Sequence, residues 1–147
     1  MAGGRNDPYG AFNFIVEIDG LDANAVAGFM EVSGLEAEVG VIEYREGGDP
    51  TVVRKLPGLR KYSNITLKRG YTDSRALYEW WKETVDGQTH RRNGSIILLN
   101  ETREPAVRFN FLQGWPCRYS GPHFDAQLGA VAIETLEICH EGLQLAE

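Results

Sequence analysis

The chain has 147 residues, 42% of them hydrophobic, which suits one domain around one core and excludes an intrinsically disordered chain. Lys and Arg total 15 against 21 Asp and Glu, a net charge of -6 with a pI near 5.1, which speaks against a general nucleic-acid binder that must neutralise phosphates. No apolar run approaches the ~20 residues of a membrane-spanning helix. The start, Met1 to Asp7, lacks the apolar stretch of a secretory signal, so synthesis and folding in the cytoplasm are expected.

Residues 1–10 are polar, Gly-rich and aperiodic, and read as a flexible arm. Phe12, Phe14, Val16 and Ile18 then alternate with other residues, the signature of a half-buried strand ending at Asp19-Gly20. Residues 21–28 read as a loop, and Phe29 to Val32 as a short strand stopped by Ser33-Gly34. From Leu35 to Glu46 the alternation changes phase between Val41 and Ile42, which predicts a bulge or a strand that leaves its own core to line a second surface. Gly47-Gly48-Asp49-Pro50 is a turn signal, Thr51 to Leu56 an extended stretch, and Pro57-Gly58 a second break. Tyr62 to Arg69 reads as a strand with Ile65 and Leu67 on one face.

One helix is predicted, capped by Asp73 or Ser74 and stopped by Gly87. Its apolar stripe is Leu77, Trp81 and Val85 with Tyr78 beside it, leaving Glu79 and Trp80 nearer the outside. After the basic turn His90 to Gly94, strands are predicted at 95–100, 106–112, 115–119 and 131–140, the last with Val131 and Ile133 opposed to Leu136 and Ile138. Many strands and one helix exclude a βαβ design, so residues 1–147 are expected to form a single mainly β domain: an antiparallel β-sandwich or small barrel with one flanking helix.

Recognisable chemistry is absent from the pattern. His90, His123 and His140 sit near no nucleophile elbow. A zinc site from Cys117, His123, Cys139 and His140 lacks the close paired spacing of structural zinc motifs. The two cysteines read as reduced and half-buried on strands, with a disulfide between them as the alternative. Gly47-Gly48-Asp49 is followed by no Lys-Ser/Thr and no helix, so it is no phosphate loop. No cofactor, metal or catalytic residue is expected, and His90-Arg91-Arg92 reads as a solvated turn. What remains is structural: two long strands, 35–46 and 131–140, whose open edges invite pairing with another chain. The expected role is a non-enzymatic building block that assembles with copies of itself.

Several blocks carry a resemblance. They are Asp7-Pro8-Tyr9 before Phe12, Phe14 and Val16, then Phe29 with Glu31-Val32-Ser33-Gly34-Leu35. Tyr44 to Pro50, Arg54-Lys55-Leu56-Pro57-Gly58, and Tyr62 with Asn64 to Gly70 continue it. Phe111 with Gly114-Trp115-Pro116, and the alternating close from Ala132 to Leu143, complete it. Together they resemble the inner tail tube proteins of contractile-tailed phages and of extracellular contractile injection systems, relatives of the type VI secretion tube. The resemblance implies hexameric rings whose strands join into one barrel around a channel, stacked into a tube inside a sheath. Its implied partners are other copies, sheath, baseplate and cap proteins, and effector cargo in the lumen, with no membrane.

On this resemblance, Glu36, Glu38, Glu43 and Arg45 on one long strand, and Glu134 and Glu137 on the other, are candidates for channel-facing or subunit-facing groups, giving an acidic lining. The loop from Glu46 to Lys61, with Gly47, Gly48, Asp49, Pro50, Arg54 and Lys55, is the candidate inter-ring contact. Leu77, Trp81 and Val85 would hold the helix on the sandwich. Two competing readings stay open: a specialised initiating or cap ring of the same particle, and a monomeric β-barrel binding module using Trp80, Trp115 and Tyr119 around a pocket.

Overall fold

The computed structural model describes residues 7–23, 26–45, 47–48, 51–127 and 129–146. Among these residues nine strands and one helix follow in the order β1 (Phe14–Ile18), β2 (Phe29–Ser33), β3 (Ala37–Tyr44), β4 (Arg54–Tyr62), β5 (Ile65–Gly70), α1 (Ala76–Val85), β6 (Arg92–Leu99), β7 (Pro105–Ser120), β8 (Ile133–Cys139) and β9 (Gly142–Ala146). All described pairings are antiparallel.

The predicted strands 106–112 and 115–119 are one 16-residue strand, β7, and that strand organises the fold. Its first half pairs with β6 and β9, its second half with β8. The switch falls at Gln113, whose backbone is left-handed (φ 56°) and whose amide donates to Asn93 Oδ1 at 2.9 Å. Bending there lets one strand serve two layers, β1-β6-β7-β9 and β7-β8-β5-β2.

Both layers and the helix supply the core. Val16, Ile18 and Ile96 come from one layer, Ile65, Leu67, Leu136 and Ile138 from the other, and Phe111 from β7. Leu77 and Trp80 close it from α1. Each fully buried aliphatic side chain contributes about 1.5–3 kcal/mol relative to exposure, so the core is the main source of stability. The alternation read for β1 and β5 holds, with Phe12 the exception: it lies outside β1 and is 87% exposed.

The helix departs from expectation at one end. Arg75 is its N-cap with no side-chain cap bond; Ser74 Oγ only accepts from the Ala76 amide at 3.5 Å. At the other end Gly87, with φ +89°, donates to Thr84 O, and Gln88 donates to Glu83 O. This pair of bonds is the Schellman closure that a left-handed residue permits, as the glycine predicted. The buried face is Leu77 and Trp80, with Trp81 half-buried, whereas Val85 is 59% exposed. Trp80 is drawn in because its indole N–H donates to His90 O at 2.9 Å, so the ring loses no hydrogen bond on burial.

In 131–140 the expected opposition holds for Ile133, which lies on the face opposite Leu136 and Ile138 in a regularly alternating β8. Val131 precedes β8 and is exposed, while Glu134, Leu136 and Ile138 share the core face. After a short turn the chain returns as β9 beside β7, a strand absent from the sequence reading.

Candidate functional site

β3 and β4 form a separate two-stranded sheet that belongs to neither layer of the core. Pro57-Gly58 is no break, because β4 runs through it. Val39 pairs with Arg60 and Val41 with Pro57, so one β3 residue faces two on β4, and the extra residue of the bulge sits at Gly58-Leu59. The phase change read in residues 35–46 thus has its counterpart in the partner strand. Gly58 allows it, since a Cβ there would lie 3.0 Å from Gly40 O.

This arm leaves the core on both faces. Val39, Val41, Ile42, Tyr44, Leu56 and Leu59 are all exposed, Leu59 by 81%. A contiguous apolar surface of this kind is costly in water unless something covers it. The charges between are cross-strand neighbours: Glu38 is opposite Lys61, and Glu43 opposite Lys55. Directly opposed unlike charges add about 0.2–1 kcal/mol each to such a pair of strands. Candidates expected in separate regions, Glu38 and Glu43 on one side and Arg54 and Lys55 on the other, therefore occupy one hairpin. Glu36 sits at its root and Arg45 at its tip, both exposed, with Gly47 and Gly48 in the turn; Glu46, Asp49 and Pro50 lie outside the described residues.

The root is fixed to the body by specific bonds. His140 Nε2 meets Ser63 O at 2.9 Å, and its ring lies 5.6 Å from the Tyr62 ring. Asn64 Nδ2 donates to Glu137 Oε2 at 2.6 Å. At the β2 end Gly34 has φ +90°, and a Cβ there would collide with the backbone carbonyl of Asn64, so only glycine lets the two roots of the arm approach.

The layer β7-β8-β5-β2 has two open edges, β2 and the second half of β7. One face packs on the core. The other carries Thr66, Lys68, Arg118, Ser120, Thr135 and Glu137 around a shallow open depression, with Glu31 3.5 Å from Lys68. Two cations and two carboxylates lie around it, and Ile133 and His123 border the same side beside Lys68 and Thr135.

Glu134 is not on that surface. It is 1% exposed on the core face, where Oε1 accepts from Arg69 Nε at 2.6 Å and Oε2 from the Tyr119 hydroxyl at 2.7 Å. Arg69, equally buried, also lies 5.5 Å over the Phe29 ring. Burial and then the Glu134 hydrogen bond push the Tyr119 hydroxyl well above the usual phenol range. A carboxylate held this way is a structural tie inside the subunit, which corrects its candidacy for the channel. The resemblance named Glu134 and Glu137 together, but residues three apart on a strand face opposite ways, and only Glu137 lies on the polar face.

The aromatic residues of the binding-module reading do not converge. Trp80 is in the core, Tyr119 stacks edge-on against Tyr78 at 5.4 Å, and Trp115 lies across from Cys139. Arg92 lies 5.7 Å over Trp80 and donates to Asp19 O, so the basic turn is partly spent on internal contacts. Among the described residues no three His, Cys, Asp or Glu side chains gather as metal ligands, and no helix is long and apolar enough to cross a membrane.

Comparison with known proteins bears directly on this arrangement. No curated protein sequence matches the chain. The structure is similar to a chain of the PVC sheath–tube complex, an extracellular contractile injection system, with a TM-score of 0.84 at 25% identity over 96% of this chain and 93% of that one. It is equally similar to a chain of the anti-feeding prophage tube-terminating cap, TM-score 0.84 at 26% identity over 99% and 95%. Hcp1 from Flavobacterium johnsoniae shares the fold at 16% identity, TM-score 0.59, over 91% and 94%. Residues 10–144 match the family model described as T4-like virus tail tube protein gp19, and the chain belongs to that tail tube family.

Proposed function

We propose that this chain is the structural subunit of the inner tube of a contractile injection particle or phage-type tail, closing with five other copies into a ring that stacks on further rings. The observation that carries this reading is the exposed apolar arm joined to a layer with two open edges. Strand parity adds to it. The layer β7-β8-β5-β2 has four antiparallel strands, so β7 and β2 run in opposite directions. Joining β2 of one copy to β7 of the next then gives another antiparallel pair, and the ring closes without an edge.

In such a ring the polar face with Lys68, Arg118, Glu31 and Glu137 lines the channel, and the core face and α1 lie outward. The lining is then charge-balanced rather than acidic, which suits passage of cargo of either sign. The arm covers its apolar side chains against the neighbouring ring, and Glu38, Glu43, Arg45, Arg54 and Lys55 act there as contact groups. Sheath, baseplate and cap proteins are the remaining partners, and no catalytic step is required of the chain.

Negative-stain electron microscopy with sedimentation over a concentration series tests the reading, comparing the native chain with Val41→Asp/Leu59→Asp. Rings or tubes with a central hole are expected from the native chain, and loss of stacking from the variant. A native chain that stays monomeric at every concentration, and also with preformed baseplate added, would overturn it. Single rings that never stack would instead reassign the chain to a terminal ring.

A further inference from the structure

Cys117 and Cys139 lie on adjacent strands, β7 and β8, both half-buried. In the register Trp115 is opposite Cys139, Pro116 opposite Ile138, and Arg118 opposite Glu137, which leaves Cys117 as the extra residue of a bulge. Residues offset by two across a regular antiparallel pair sit about 7–8 Å apart, too far for a disulfide, whose Cα atoms need about 4.4–6.8 Å. The bulge brings Cys117 into the group around Cys139. Cys117 Sγ lies 3.5 Å from Glu137 O, and Asn64 bridges the two thiols: its Nδ2 donates to Cys117 Sγ at 3.7 Å, and its Oδ1 accepts from Cys139 Sγ at 3.3 Å.

We propose that Cys117 and Cys139 form an oxidation site that closes into an intrachain disulfide, stapling β7 to β8 across the loop 121–132. The oxidant is a peroxide. One sulfur attacks a peroxide oxygen, becoming a sulfenic acid as the O–O bond breaks and water leaves; the second sulfur attacks the sulfenic sulfur, forming the S–S bond and releasing a second water. Two thiols lose two electrons and two protons, and peroxide takes both up. Burial, then the contact with Cys139, pushes the Cys117 thiol up to about 12. The thiolate is the nucleophile, so closure should quicken as pH rises. The pair stays reduced where peroxide is scarce and closes once the particle meets oxidising surroundings. This inference does not depend on ring formation.

The test uses the full chain, unassembled and folded, treated with excess hydrogen peroxide, quenched and analysed by intact mass and peptide mapping. A loss of about 2 Da with a cross-linked peptide pair carrying Cys117 and Cys139 is expected. The closed loop of roughly 20 residues should raise Tm by roughly 5–10 °C, reversed by a thiol reductant. Either Cys117→Ser or Cys139→Ser should abolish the 2 Da loss and leave the remaining thiol as a sulfenic acid, captured by dimedone. Oxygen adducts on the native chain without the cross-link, or two thiols still open to alkylation after peroxide, would overturn the assignment; both are read on the native protein, so neither depends on a variant folding.

Discussion

Replacing Glu134 by Ala probes the one ion pair among the described residues that both partners bury. Arg69 and Glu134 are each 1% exposed and 2.6 Å apart, and Tyr119 donates the second hydrogen bond to Glu134 at 2.7 Å. Truncation leaves the buried Arg69 guanidinium without its countercharge, beside the Ala27 and Ser74 carbonyls at 3.5 Å, and the tyrosine hydroxyl without its acceptor. Losing one partner of a buried pair costs about 3–5 kcal/mol, roughly a fifth or more of the ~5–15 kcal/mol that holds a typical domain. At about 2–4 °C per kcal/mol for a chain of this size, Tm should fall by roughly 6–20 °C. The triple change Arg69→Met/Glu134→Leu/Tyr119→Phe removes every polar member together and should recover most of that loss, because well-packed apolar residues replace such a pair at little or no cost. Urea unfolding of the unassembled subunit at low concentration measures both variants without a contribution from self-association. A cost below about 1 kcal/mol for Glu134→Ala would mean that water reaches Arg69. A triple variant no more stable than the single one would equally refute the reasoning.

Three further outcomes follow from the same structure. Trp80→Ala should cost about 3–5 kcal/mol while Val85→Ala stays within about 0.5, a contrast in thermal unfolding that reverses if the helix packs by its predicted stripe. Gly34→Ala should destabilise the arm root by more than the ~1 kcal/mol of a simple glycine effect, because its Cβ has no space beside Asn64 O; faster amide exchange in β3 and β4 than in β5 would register it. The Cys117 thiol, ordinarily at 9.0, is raised to about 12 by burial and then by Cys139, so the folded state holds this proton more tightly than the unfolded one. Its contribution to stability is complete below pH 9 and lost as pH rises toward 12, with Tyr119 adding a second loss of the same sign above about pH 10. Cys117→Ser should delay the onset of alkaline destabilisation, and an unchanged pH profile of Tm would contradict the assignment.

Much of this architecture was legible in local pattern. Period-two alternation marked β1 and β5, because strands half-buried against a core must alternate. Gly87 marked the helix end, since the left-handed closure there favours glycine. The family-like blocks marked the tail tube fold across nearly the whole length, and the match over residues 10–144 agrees. Composition and the change of phase in residues 35–46 singled out the segment that became the arm.

Other features were decided only by long-range contact. Whether Gly114 ends a strand or lets it bend depends on β8 and β9 lying alongside, so two predicted strands became one that serves both layers. Trp80 rather than Val85 faces inward because His90, ten residues on, offers a carbonyl to its indole N–H. Glu134 looked like a surface carboxylate until the register set Arg69 opposite it, and a charge is buried stably only where its partner arrives from another strand. Cys117 and Cys139 are 22 positions apart in sequence, and a single bulged residue makes them neighbours. Alternation fixes which residues share a face, but not which face finds a partner, because that is set by pairing between segments far apart in the chain.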